Sequence, residues 1–259
     1  IVFSHGLGGS KERYAYLGQY WASQGYASLH LQHDGSDRKV WRGSRLTLAF
    51  RLMDAADKTE ALARVQDVKF ALDQILASEH AADFDKQKIV MAGHSYGANT
   101  SMLLSGAQVE QNGSLVSLKD TRIKAAILIS APPFYNDQPL DKVLADISIP
   151  TLHITTTEDE IRVPGFYSSP QDRYDLYNAM ASSYKVLAVF SSGSHNIFSG
   201  WRGGKDTQPQ QQVIKAATQA LSSAFIEQIT TDDSQAISLW EQQHQAVLSQ
   251  FIRSDNLGV

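Results

Sequence analysis

The chain has 259 residues, 42% of them apolar and 19% charged, an ordinary globular composition that excludes a disordered, collagenous or low-complexity polypeptide. Its 23 Lys+Arg stand against 27 Asp+Glu, a formal charge of −4 with no basic block, which argues against binding nucleic acid through phosphates. There is no cysteine, so thiolate nucleophiles, disulfides and Cys-ligated metal sites are excluded, and no apolar run approaches the ~20 residues of a membrane span.

Residues 1–4, Ile-Val-Phe-Ser, read as the interior of a buried strand. Chains seldom begin inside their core, so upstream residues, with any signal peptide, are expected to be lacking. The strand breaks at His5-Gly6-Leu7-Gly8-Gly9. Residues 14–23 have helical spacing at Tyr14, Leu17 and Trp21, and residues 26–31 form a strand ending in Gln32-His33-Asp34-Gly35. Residues 36–57 read as irregular. Leu62, Val65, Val68, Leu72, Ile75 and Leu76 repeat at i+3 and i+4, which predicts an amphipathic helix over 60–78. Strands follow at 88–92, 123–129, 151–155 and 186–190, and helices at about 96–106, 174–181, 211–229 and 237–252. The last is expected to pack on the sheet's outer layer. Continuous apolar strands alternating with helices predict a mostly parallel sheet covered on both faces, in a single α/β domain over 1–259.

Gly93-His94-Ser95-Tyr96-Gly97 is a G-x-S-x-G pattern between a strand and a helix. Alone, such a pentapeptide could be a glycine-flanked turn with a serine cap. In this setting it places a serine hydroxyl above the sheet edge, beside the free N–H groups of a helix start. A hydroxyl needs a base, and the base an orienting acid. Among eight histidines, His195 follows the last predicted strand, in Ser191-Ser192-Gly193-Ser194-His195. Chemistry in open α/β sheets gathers at that edge. His5 and His94 sit in glycine-rich turns and are expected to hold loops; His30, His33, His80, His153 and His244 read as core or surface. For the acid, Asp159 is chosen, with Glu158 as rival, in the loop Thr156-Thr157-Glu158-Asp159-Glu160. The order Ser95…Asp159…His195 is nucleophile–acid–histidine. The backbone N–H groups of Leu7 and Tyr96 are the expected oxyanion donors. The glycine run at 6–9 lacks the phosphate-binding spacings of nucleotide sites.

With these pieces placed, the sequence resembles the α/β-hydrolase superfamily. Within it, the chain is similar to bacterial "predicted dienelactone hydrolases", platelet-activating-factor acetylhydrolase-like and cutinase-like serine esterases. The resemblance rests on Phe3–Gly9, Leu17–Tyr26, His33–Ser36, Arg64–Asp73, Gly93–Gly97 and Gly193–His195. It implies the α/β-hydrolase fold with a core sheet of about eight strands, residues 1–4 forming the third, and N-terminal strands missing. The cysteine nucleophile of dienelactone hydrolases proper is absent. The animal acetylhydrolases' acid position, near Ser130 here, holds no acid, whereas Asp159-Glu160-Ile161-Arg162-Val163-Pro164 resembles the acid loop of cutinase-like esterases.

The expectation is a serine carboxylic-ester hydrolase working through an acyl-enzyme, with no metal or organic cofactor. Only about twenty residues separate the strands ending near Ile129 and starting at Thr151, too few for a large cap domain, so an open cleft is expected. Trp41, Phe134, Tyr135, Phe198 and Trp201, with Tyr96, are candidates to line it, and equally candidates for core packing. The expected partner is a short-chain or polymeric ester. A lipase or phospholipid acetylhydrolase-like activity, a peptidase activity, and a non-catalytic binding protein are the alternatives. Oligomeric state and compartment stay open, with a secreted or periplasmic location favoured over a cytoplasmic one.

Overall fold

The computed structural model describes residues 1–134, 138–200, 205–231 and 235–254. Its elements run β1 (Val2–Ser4), α1 (Ala15–Ser23), β2 (Leu29–Leu31), α2 (Leu48–Asp54), α3 (Lys58–Ala77), β3 (Ile89–His94), α4 (Tyr96–Ser105), β4 (Gln108–Gln111), β5 (Ser114–Ser117) and β6 (Ile123–Ile129). They continue α5 (Leu140–Val143), β7 (Thr151–Glu158), β8 (Ile161–Val163), β9 (Phe166–Ser168), α6 (Gln171–Ala179), β10 (Lys185–Ser194), α7 (Gln208–Thr231), α8 (Ala236–His244) and β11 (Leu248–Arg253).

Seven strands make one sheet in the order β11-β10-β7-β6-β3-β1-β2. Every pairing is parallel except β10 with β11. Because successive strand residues face opposite sides, each strand feeds two cores. Phe3, Val90, Ala92, Ala125 and Ile127 join Trp21, Leu221, Phe225 and Trp240 on one side. Val2, Met91, Ala126 and Leu128 join Val65, Val68, Leu72 and Leu104 on the other. The buried indoles satisfy their N–H groups: Trp21 donates to Ser222 Oγ at 2.8 Å and Trp240 to the Ala217 carbonyl at 3.0 Å. This is the α/β-hydrolase arrangement, a mostly parallel central sheet flanked by helices. Between β6 and β7 the described residues hold only the one-turn helix α5, so no large cap inserts there.

Four stretches differ from the sequence reading. The segment expected to be one helix over 237–252 is α8 followed by the strand β11. The open edge of β10 offers unpaired backbone groups, and Leu248, Phe251 and Ile252 satisfy them as a strand while still covering the core. Residues 36–57, read as irregular, contain α2. Two hairpins went unpredicted: β4–β5, turning at Asn112-Gly113 with both residues at positive φ, and β8–β9, turning at Pro164-Gly165.

The β3–α4 turn shows why its glycines are needed. A Cβ on Gly97 would lie 1.9 Å from the Ser4 carbonyl oxygen, and one on Gly93 would lie 2.2 Å from the Gly97 carbonyl oxygen. Gly97→Ala should therefore destabilise the fold by about 1–3 kcal/mol, through forced backbone displacement. Urea unfolding measures this, and unchanged stability would show that the approach relaxes freely.

His5, His94 and His153 are all buried, and burial pushes each imidazole from 6.5 down to about 3. The unfolded chain takes up protons below about pH 6.5 that these rings refuse until about pH 3. Stability accordingly falls as pH drops through that window, by up to about 1.4 kcal/mol per pH unit for each ring. His153, on β7 with its Nε2 3.2 Å from Thr151 Oγ1, is remote from the sheet's C-terminal edge. His153→Gln should flatten the acid slope by about one such increment. Unfolding free energies at several pH values test this; an unchanged slope would mean that the folded ring already binds a proton.

Candidate active site

Ser95 lies between β3 and α4 with φ 55° and ψ −124°, a left-handed conformation that costs a non-glycine residue about 1–3 kcal/mol. It is held by its neighbours: its N–H donates to the Ile129 carbonyl at 2.9 Å, and its carbonyl accepts from Ala98 N–H at 2.8 Å. The turn lifts the hydroxyl off the sheet edge. Ser95 Oγ is 2.8 Å from His195 Nε2, and His195 Nδ1 is 2.7 Å from Asp159 Oδ1. The three side chains come from the C-terminal ends of β3, β7 and β10. Glu158, the rival acid, is exposed and lies 3.8 Å from Lys205 Nζ, with no hydrogen bond to His195 among the described residues.

Asp159 is fully buried. Burial alone would raise its pKa, but His195, Arg173 and the Thr155 hydroxyl overcome that and hold the carboxyl well below the usual range. Thr155 Oγ1 donates to Oδ2 at 2.6 Å, and Arg173 donates from Nη2 to Oδ1 at 3.0 Å. Arg173, buried at the start of α6, was missed by sequence reasoning. The only trace was an arginine two residues into a helix that Pro170 introduces.

His94, inside the elbow, is a strut. Its Nε2–H donates to the His195 carbonyl at 3.0 Å, and its Nδ1 accepts from the Tyr14 hydroxyl at 2.8 Å. The neutral ring that both bonds require agrees with its lowered pKa. His5 also holds a loop, with Nδ1 donating to the Gly6 carbonyl and Nε2 accepting from His33 N–H.

The loop after β1 runs beside the elbow, since Ser4 pairs with Gly93. Within it, the N–H groups of Gly6, Gly8 and Gly9 go to Tyr14 Oη, the Ser36 carbonyl and the Gly6 carbonyl. The Leu7 N–H has no acceptor among the described residues. The Tyr96 N–H opens α4 and so lacks an intrahelical acceptor. Two free donors thus stand at the ends of adjacent strands.

Arg64 ties these two together. It is wholly buried on α3, and it donates from Nη2 to the His5 carbonyl and to Ser4 Oγ (3.0 Å), from Nη1 to Ser36 Oγ (2.7 Å) and from Nε to Thr100 Oγ1 (3.0 Å). Its guanidinium carbon sits 4.5 Å from the centre of the Tyr96 ring. Burial lowers its pKa only to about 10, so it stays charged at neutral pH. Sequence reasoning gave Arg64 no role beyond its place in the resemblance.

A cavity of about 970 Å³ opens over Ser95 and His195, with Leu7, Trp41, Tyr96 and Phe134 in its wall. Trp41 Nε1 donates to the Gly8 carbonyl at 2.8 Å, which seats the indole on the loop after β1. Phe198 does not line the cavity. It is the last residue of the short turn after His195 and points down into the core against Phe190. Tyr135 and Trp201 lie outside the described residues. The cleft is less open than expected. α2 and the β8–β9 hairpin meet over one side of it, where Leu52 and Val163 share an apolar cluster with Leu7 and a Cβ at Gly165 would lie 3.0 Å from Met53 Cγ.

A relay of this geometry can draw the proton from Ser95 Oγ to His195 while the charge of Asp159 balances the resulting imidazolium. Among the described residues, no helix is long and apolar enough to cross a membrane, and no cluster of three potential metal ligands occurs. A search of curated protein sequences returns no match. A family comparison matches the alpha/beta hydrolase family over residues 1–245, nearly the whole chain. The sheet order, the serine elbow and this match lead to one conclusion: the chain belongs to the alpha/beta hydrolase family.

Proposed function

We propose that the protein is a serine carboxylic-ester hydrolase with Ser95 as nucleophile, His195 as general base and acid, and Asp159 as orienting acid. The observation that supports this reading is the unbroken hydrogen-bonded path Ser95–His195–Asp159, ending on a buried, ionised carboxylate. His195 takes the Ser95 proton as Oγ attacks the ester carbonyl carbon. The Leu7 and Tyr96 N–H groups receive the oxyanion. Collapse breaks the C–O bond, and His195 returns the proton to the leaving alcohol, leaving acyl-Ser95. Water, deprotonated by His195, then releases the acid and restores the serine. The apolar part of the cavity wall suits short acyl groups or segments of a polymeric ester.

Hydrolysis of p-nitrophenyl esters from acetyl to dodecanoyl should depend on Ser95, with Ser95→Ala lowering kcat by roughly 10⁴–10⁶. Near-native turnover by that variant would remove Ser95 from the mechanism.

Arg64→Lys keeps the buried charge but loses the fork that joins the His5 carbonyl to Thr100. If the fork aligns the two donors, kcat should fall by about 10², the cost of one oxyanion contact, with little change in KM. A change in KM alone would show that Arg64 acts only on the substrate-binding walls.

A further inference from the structure

The roof over the cavity is apolar on both sides. Its inner side, with Leu48, Leu52 and Ala55, packs against Val40, Leu7 and Val163, and Leu52 lines the cavity. Its outer side carries Leu46, Phe50 and Met53, at i, i+4 and i+7 on one face of the helical stretch 45–54, exposed by 91%, 74% and 49%. Trp41 and, on the adjoining hairpin, Tyr167 are also exposed large apolar residues. Singly exposed apolar residues are common; a continuous face of them at a cleft mouth marks an interaction surface.

Charge gives the partner's chemistry. Residues 38–53 contain Arg38, Lys39, Arg42, Arg45 and Arg51 and no acid, the exposed Asp54 following at the end of α2, in a chain whose net charge is −4. Lys39 is paired with Asp34 and Asp37. Among the described residues Arg51 donates to neutral acceptors, the Val40 and Ser44 carbonyls and Thr47 Oγ1. Arg42, Arg45 and Arg51 have no carboxylate partner among the described residues. An apolar helix face interleaved with uncompensated arginines suits a water–lipid boundary with negative headgroups. A second copy fits poorly, because two-fold pairing of this face would set arginines against arginines.

We propose that the outer face of this roof docks on an anionic lipid–water interface, with Leu46, Phe50 and Met53 entering the acyl boundary and Arg42, Arg45 and Arg51 meeting the headgroups. Trp41 and Met53 belong both to this face and to the cavity wall, so docking turns the cleft mouth toward the lipid. Amphiphilic esters held in that surface become the substrate class. That last step rests on the ester-hydrolase reading; the docking itself does not.

The test is co-sedimentation of the full chain carrying Ser95→Ala, which removes turnover, with vesicles of phosphatidylcholine alone or mixed with phosphatidylglycerol. Binding should require the anionic lipid and weaken as salt rises. Adding Arg42→Gln and Arg45→Gln should lower partitioning by about 25-fold, at about fivefold per arginine. Adding Leu46→Ser and Phe50→Ser instead should abolish it. Both pairs are surface changes, so with Ser95 intact the turnover of soluble p-nitrophenyl acetate should stay unchanged. Equal binding to neutral vesicles, no binding to anionic ones, or binding indifferent to both pairs would overturn the proposal. A dimer in analytical ultracentrifugation that Leu46→Ser and Phe50→Ser dissociate would overturn it in favour of a second copy. An absence of ester turnover with vesicle binding intact would sink the hydrolase reading alone.

Discussion

The close passage of α4 over the end of β1 is the constraint on which the rest depends. Only because positions 93 and 97 lack a Cβ can the chain turn from strand to helix within one residue. That turn forces Ser95 into a left-handed conformation, which the flanking strands hold by hydrogen bonds. It also packs Gly6 against Ser95, where a Cβ on Gly6 would lie 3.2 Å from the serine Cβ. Hydroxyl, helix start and the loop after β1 therefore share one steric cause. His94 extends it sideways by bonding both the Tyr14 hydroxyl and the backbone of His195.

Around this turn the buried charges are arranged by sign. Asp159 lies under His195 and is gripped by Arg173, an ion pair with both partners almost wholly buried. Breaking such a pair leaves one charge without a partner, typically a loss of 3–5 kcal/mol. On the other side of the serine, Arg64 is a buried cation whose direct acceptors are hydroxyls and a carbonyl. On the proposed mechanism, a negative charge growing near the Leu7 and Tyr96 N–H groups would form close to the Arg64 cation.

Much of this was legible in the sequence because it rests on short-range constraints. The serine elbow needs two glycines and a strand–helix context, and all three are contiguous. The parallel sheet follows from apolar strands buried on both faces. Asp159 could be placed after a strand, but its preference over Glu158 rested on the resemblance of its loop to that of cutinase-like esterases; only the packing shows which carboxylate meets His195. Arg64 and Arg173 were hidden because a buried arginine has the same spelling as a solvated one; only the packing around it distinguishes them. The β4–β5 hairpin carried an Asn-Gly signal that went unused, whereas β11 could not be read locally. Its apolar spacing fits a helix as well, and the free edge of β10 decides. Phe198 went astray for a similar reason: adjacency to His195 in the chain says nothing about which way a side chain points after a tight turn.

The position of β11 has a consequence for motion. By pairing along Val186–Phe190, it makes β10 an interior strand with a neighbour on each side. The histidine at the end of β10 thus hangs from backbone that cannot fray from a free edge. The amides of Val186–Phe190 open only when two ladders let go together, so the strand that leads to His195 is clamped on both sides up to Phe190. On the proposed mechanism, the imidazole that serves serine and then water is thus carried by a strand held on both sides until five residues before it.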